Sequence, residues 1–470
     1  MIVAAAWVGK KFAVLGLARS GAATVRALLT GGAEVVAWDG DAAKRNALSP
    51  SPRSRGEGPS SATAPATPPL PTSSGSTAPR AVEVVPGAQP TRNSPMGERA
   101  LVFADPLTID LTGFDGVVVS PGVPLNRHPI VTHAGDTPII GDIELFAQAR
   151  ADLPPHKAVG ITGTNGKSTT TALIHHILDQ AGIPTRMGGN IGLPILAQDP
   201  LPEGGVYVLE LSSYQIDLTY SLDCDVAVLL NITPDHLDRY AGFEAYAASK
   251  ARLFAMQSAG HAAIIGTGDA TSAAIADTLP RATRISVPAD APAYGPALAG
   301  PHNAQNALTA IAVCEALGLA ADTIRAGLQS YRALPHRMAH VADVGGVAYV
   351  DDSKATNPDS TAPALNAFAR IHWIVGGLAK SDDLDACRPG FGNIVHAYTI
   401  GTAAQRFAEL LAPDLPVTIA NTLDEAVKLA ATVAQPGDTV LLSPACASFD
   451  QFSDFEARGR AFAAAVGALQ

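Results

Sequence analysis

A chain of 470 residues exceeds one ordinary hydrophobic core and calls for two or three domains. Hydrophobic residues at 47% and charged residues at 16% exclude a wholly disordered chain, and a net charge of −11 argues against a non-specific nucleic-acid binder, which needs clustered Lys and Arg. The four cysteines, Cys224, Cys314, Cys387 and Cys446, lie far apart without a C-x-x-C, which excludes a disulfide scaffold or zinc ribbon and suits a reducing cytoplasm.

No apolar run approaches the roughly 18 residues needed to span a bilayer, so no membrane insertion is expected. Lys10-Lys11 before FAVLGLA faintly resembles a signal peptide, but the apolar run is short and a Gly-containing turn follows. It reads as a first strand at 11–17, entering the turn GLARSG at 16–21. That turn lacks the middle glycine of G-x-G-x-x-G but keeps the form of a strand–turn–helix phosphate site. Asp39 ends the next strand, 33–39, where an acid can meet a ribose. A packing turn explains the same residues.

The next segment, 49–99, holds 11 Pro, 9 Ser, 5 Thr and 5 Gly among its 51 residues and no aromatic side chain. Such a stretch buries too little apolar surface to offset its ordering entropy. It is expected to be a disordered insertion in a surface loop, with AVEVV at 81–85 as a short strand inside it. Beyond it, apolar runs at 116–120, 158–162, 206–211, 225–231, 347–352, 372–377, 397–401 and 438–443 read as strands. Helical patterns such as 168–181 and 303–317 lie between many of them. Alternating strands and helices predict parallel sheets built from βαβ units, in three groups divided near Gly141 and Ala333. No repeat of 20–50 residues is present.

The strongest motif is Gly160-Ile-Thr-Gly-Thr-Asn-Gly-Lys-Ser-Thr169. A strand ends, two glycines flank Thr164-Asn165, and Lys167-Ser168-Thr169 open a helix. Glycines let backbone N–H groups turn toward an anion, and the helix N-terminus adds its positive dipole end. Lys167 can reach β- and γ-phosphates and the Ser168 hydroxyl can ligate Mg²⁺. Ile161 stands where G-x-x-x-x-G-K-[ST] has its first glycine, so this is a variant P-loop. Glu210 ends strand 206–211, where a carboxylate can hold the metal or cap a helix. Asn231-Ile-Thr-Pro-Asp-His-Leu-Asp-Arg-Tyr240 follows the next strand, and its Asp235, His236 and Asp238 are metal or proton-transfer candidates. Lys250, on a helical pattern, carries no local mark; its sequence alone reads as solvated.

GTNGKST, VLELSSYQ, NITPDHLDRY, PHNAQNAL, LPHRM, DDSKATNP and LLSPACASFDQF occur in the order found in Mur ligases, and the chain resembles that family over nearly its whole length except 49–99. The P-loop and the central His motif are shared with folylpolyglutamate synthases; DSKATN and SPACASFDQF resemble the D-glutamate-adding branch. The resemblance implies an α/β chain of three domains. These are a Rossmann-like domain at 1–141 for the UDP substrate, a central P-loop-type ATPase domain at 142–333 with a mostly parallel sheet, and a Rossmann-like amino-acid-binding domain at 334–470. It further implies Ser20, Asp39, Ser120, Gly122 and Asn190 around the UDP substrate. ATP would be held by Gly163, Thr164, Asn165, Gly166, Lys167, Ser168 and Thr169, with Asn306 near the adenine and Arg337 and Asp352 reaching over. Ser168 and Glu210 would hold one Mg²⁺, and His236 with Lys250 a second, Lys250 carrying a CO₂-derived carbamate. Lys354, Thr356, Lys380, Ser448 and Phe455 match positions that receive D-glutamate.

The expected reaction is phosphorylation by ATP of the L-alanine carboxylate of UDP-N-acetylmuramoyl-L-alanine, then attack on the acyl phosphate by the D-glutamate amine. Lys167, Glu210, His236 and Lys250 would carry the catalysis, in a cytoplasmic monomer serving cell-wall synthesis. Rival readings are a related ligase adding L-glutamate or another amino acid, a nucleotide-binding scaffold without activity, and a P-loop NTPase switch.

Overall fold

The computed structural model describes residues 1–48, 101–235, 237, 239–295, 297–298, 301–380 and 383–469, with backbone only at 301 and 302. The expected insertion 49–99, its strand at 81–85, and His236 and Asp238 lie outside the described residues.

Seventeen strands among the described residues form three sheets, taken here in chain order. The first has the order β3-β2-β1-β4-β5, from β1 (Lys11–Leu15), β2 (Glu34–Trp38), β3 (Leu101–Phe103), β4 (Gly116–Val119) and β5 (Ile139–Ile140), all parallel. The second comprises β6 (His156–Thr162), β7 (Thr185–Gly189), β8 (Gly205–Glu210), β9 (Val226–Leu229), β10 (Ala262–Gly266) and β11 (Thr283–Ile285). It too is parallel, in the order β11-β10-β9-β6-β8-β7. The third comprises β12 (Ala339–Val344), β13 (Val347–Asp351), β14 (Ile371–Gly376), β15 (Ile394–Ile400), β16 (Val417–Asn421) and β17 (Thr439–Leu442). Its order is β12-β13-β17-β14-β15-β16, with β12 antiparallel on the edge.

The central strands read as unbroken apolar runs because both faces are covered by helices, so β4, β8, β9, β14 and β17 are buried along their whole length. Strands β3, β5, β7, β10, β11, β12 and β16 escaped the sequence pattern; β3 and β5 are apolar but only three and two residues long, and β10 is an apolar run that was not read as a strand. One hydrophobic core runs from the first sheet into the second. The helix Asp142–Ala149 joins them, its Phe146 ring edge-on to Tyr207 of β8 at 5.1 Å. The third sheet has separate cores on its two faces.

In each sheet the strand order reverses beside a central strand: between β1 and β4, around β6, and around β17. Crevices for ligands open at the carboxyl ends of strands at such points.

Candidate functional site

The loop after β6 is the best-fixed of these crevices. Gly163 has φ 147° and Gly166 φ 85°, backbone states open to glycine, and a Cβ on Gly166 would run into the Asn306 side chain. Asn231, just past β9, straps the loop from below: its Oδ1 accepts from Asn165 N at 2.9 Å and its Nδ2 donates to Asn165 O at 3.2 Å. The Thr164 hydroxyl donates to Thr233 O at 3.1 Å and accepts from Thr233 N at 3.0 Å. The helix Lys167–Gln180 starts at Gly166, so its first N–H groups face the crevice. Lys167 Nζ donates to Gly163 O at 2.9 Å and Thr164 O at 2.7 Å, folded back over the loop it opens.

Glu210 ends β8 beside this loop and is 1% exposed. Its Oε1 accepts from Asn190 Nδ2 at 3.1 Å, whereas Oε2 is buried without a hydrogen-bond partner. Burial alone would raise its pKa, but Lys354, Lys167, the Ser168 hydroxyl and Arg337 together hold it below the usual carboxylate range. Burial lowers the Lys167 pKa, opposed by Glu210 and Asp235. Charges from the P-loop, from β8 and from the third sheet therefore act on one another.

Lys250 overturns its sequence reading as a solvated lysine. The helix Phe243–Ala255 turns it inward, leaving it 2% exposed. Its Nζ donates to Gly163 O at 2.9 Å and lies 4.6 Å from the centre of the Tyr246 ring. Burial, reinforced by Lys167, drives its pKa well below the ordinary lysine value. Helical spacing alone could not reveal this, because Gly163, which receives the amine, lies in the loop after β6, far away in sequence.

The third sheet supplies the opposite wall. Arg337 has a lowered pKa through burial, opposed by Glu210 and Asp352. Asp352, at the end of β13, is pushed up to about 7 by burial, although it accepts from the Ser443 hydroxyl at 2.7 Å and Met338 N at 3.2 Å. Lys354 is lowered to about 8 by burial and lies 4.0 Å from the Phe455 ring centre. Asn165, Gly166, Thr169, Asn306, Arg337 and Asp352 border one cleft of about 870 Å³ between the second and third sheets. Thr356 lies half-buried between β13 and the helix Pro358–Leu365, and Ser448 is buried in the loop after β17.

Two candidates from the sequence, Asp235 and Lys380, hold these walls together with Asn357 and Arg458, which the sequence reading did not single out. Asp235 receives Lys380 Nζ at 3.2 Å and Asn357 Nδ2 at 3.2 Å, tying the loop after β9 to the third sheet. Buried Arg458 donates to the Ser353 hydroxyl and carbonyl and to the carbonyls of Cys446 and Ala447. It joins DSKATN to SPACAS, and its signal in sequence was only an arginine on an otherwise apolar helix face.

The first sheet carries a second loop. Gly16 has φ 90°, and its carbonyl accepts from the Ser120 hydroxyl at 2.8 Å. Asp39 Oδ2 accepts from Leu17 N at 2.8 Å and Oδ1 from Asp41 N at 2.9 Å. Burial would raise its pKa, but those N–H groups and Lys44 lower it. Ser20 and Ser120 line one crevice beside this loop, Gly122 follows two residues after Ser120, and Arg239 donates to Val123 O at 2.9 Å, tying this segment to the central loop. Asn190 lies on the central side, bonded to Glu210.

Family models match residues 161–295 as a Mur ligase middle domain and 336–446 as a Mur ligase, glutamate ligase domain. A protein of Novosphingobium aromaticivorans named UDP-N-acetylmuramoylalanine--D-glutamate ligase is 56% identical, over 100% of this chain and 97% of its own. One of the same name from Sphingopyxis alaskensis is 54% identical over 100% of both. Among solved structures, MurC of Thermotoga maritima superposes with a TM-score of 0.56 at 14% identity, covering 98% of this chain and 100% of its own. MurF ligase of Thermotoga maritima in complex with ADP gives 0.57 at 16% identity, over 76% and 90%. At those identities the structural likeness is one of fold.

Proposed function

This chain belongs to the Mur ligase family, and from that premise we propose how its residues divide the reaction. It is an ATP-dependent ligase of peptidoglycan synthesis that joins D-glutamate to UDP-N-acetylmuramoyl-L-alanine. The observation carrying our residue assignments is the mutual influence of Lys167, Arg337 and Lys354 on the one buried carboxylate of Glu210. Cations from two sheets meet there, where a transferring phosphoryl group would need its charge neutralised.

We assign the UDP substrate to residues 1–141, with Ser20, Asp39, Ser120, Gly122 and, from the centre, Asn190 around it. ATP goes to 142–333 through Gly163–Thr169 and Asn306, with Arg337 and Asp352 from the facing wall. D-Glutamate goes to 334–470, received by Lys354, Thr356, Lys380, Ser448 and Phe455. The support is that each sheet falls inside one of these ranges.

Mg²⁺ takes hard oxygen donors, and the orphaned Glu210 Oε2 beside the Ser168 hydroxyl fits that requirement. When bound, the ion would supply charge neutralisation at the nucleotide phosphates. For Lys250, the buried, easily deprotonated amine fits carbamate formation, in which the nitrogen lone pair bonds to CO₂ carbon and one proton leaves. That anionic oxygen, with His236, would serve a second ion. Lys167 orients the β- and γ-phosphates. Lys380 and Ser448 grip D-glutamate carboxylates by hydrogen bonds, the lysine's charge-assisted. The acyl phosphate intermediate is thereby formed in a closed cleft away from water. The monomer and the cytoplasmic setting are part of the same reading, the latter supported by four unpaired buried cysteines.

Phosphate release with UDP-N-acetylmuramoyl-L-alanine and either D- or L-glutamate, in separate tubes, tests the amino-acid assignment. Release is expected with D-glutamate; release with the L-isomer alone would refute it.

A further inference from the structure

Tyr331 follows the helix Ala321–Ser330 and turns the chain toward LPHRM, borders the nucleotide cleft, and is 5% exposed. Its ring meets His176 edge-on at 5.7 Å, and His176 Nε2 pairs with the Ser330 hydroxyl at 2.9 Å. Packing accounts for the ring. Among the described residues nothing accounts for the hydroxyl, which is buried and has no hydrogen-bond partner there. A phenylalanine would fill the same space without the cost of an unpaired polar group.

Three amide side chains that border the same cleft are engaged within the protein. Asn306 accepts from the Thr170 hydroxyl at 3.1 Å and donates to Asn303 at 3.2 Å. Asn231 is spent on Asn165, and Gln305 Nε2 donates to Leu230 O at 2.5 Å. Among the described residues bordering the cleft, Tyr331 carries the buried side-chain oxygen left for a ligand. The cleft-lining residues that follow it closely in the chain, Ala333 and Leu334, are apolar and suit a base rather than a phosphate.

We propose that the Tyr331 hydroxyl hydrogen-bonds the purine base of the bound nucleotide, making Tyr331 a specificity-determining residue of the ATP site. The inference rests on the ATP reading above and adds a base contact to it. The hydroxyl can donate to a ring nitrogen or accept from an exocyclic amine, and the P-loop reads neither.

The test is Tyr331→Phe in the full chain, with ADP, CDP and tripolyphosphate binding followed by calorimetry and with ATP kinetics. One neutral hydrogen bond predicts ADP binding weakened about three- to tenfold. CDP and tripolyphosphate should bind both proteins alike, the KM for ATP should rise with kcat unchanged, and the unliganded variant should melt no lower than wild type. Unchanged ADP affinity would overturn the proposal. Equal weakening of ADP and tripolyphosphate would put the contact on the phosphates and overturn it as well. If wild type neither binds ADP nor turns over ATP, the nucleotide reading falls, and this inference with it.

Discussion

The loops after β1 and β6 are the same backbone device with different contents. Both leave a parallel strand at the point where strand order reverses, both use a positive-φ glycine, and both open a helix. The first is half-exposed and is held by Asp39, which accepts from Leu17 N, and by the Ser120 hydroxyl, which donates to Gly16 O. The second is strapped by Asn231, faced by a second wall, and lined by half-buried Lys167, the buried carboxylate of Glu210 and the buried amine of Lys250. Backbone geometry is enough to cradle an anion. Chemistry on it needs charges held out of water, where they act more strongly on one another.

The largest expected effect is at the second loop. Lys167→Ala should lower kcat by about 10²–10³ or more, since it removes a charge aimed at the transferring phosphoryl group. Near wild-type turnover at saturating ATP would erase the distinction between the loops. Next, Lys250→Ala should lose about 10–100-fold, the range for groups that tune a metal site. Acetate or formate should return part of that activity in the vacated space, and Lys250→Met, which fills it, should gain nothing from either. Full activity in Lys250→Ala would remove the carbamate.

Two aspartates sharpen the comparison through pH. Asp352, in the cleft, has its folded pKa raised to about 7, so the folded state binds the extra proton and stability is lost as pH rises from about 4 to about 7. Asp352→Asn should therefore gain in melting temperature relative to wild type across that window and level off above it. A flat difference would mean that the carboxyl is not buried as described. Asp39, in the first loop, has a lowered folded pKa; its contribution is present at neutral pH and is lost as pH falls below about 4. The smallest effect follows: Asp39→Ala should cost about 1.5 kcal/mol at pH 7, vanishing in acid, and raise the KM for the UDP substrate without moving that for ATP. A change in the ATP constant would show the two loops to be coupled more tightly than Arg239 alone implies.

The α/β class, the buried central strands and the P-loop were legible in the sequence because each is a local signal: an apolar run covered on both faces, or glycines before a helix that begins Lys-Ser-Thr. The motif order carried the family. Edge strands such as β7, β11 and β16 were not legible, since one-sided burial leaves a weak pattern over few residues. Nor was the environment of any charged side chain. Lys250 reads as a surface lysine until the helix bearing it is packed under Gly163; Asp39 and Asp352 each end or follow a strand, yet their pKa values move in opposite directions. Tyr331 looks like any aromatic core residue until its hydroxyl is found without a partner. Residue type and spacing determined which groups could bind and react. Burial and the company of distant charges decided what those groups are, because both depend on segments brought together only by the fold.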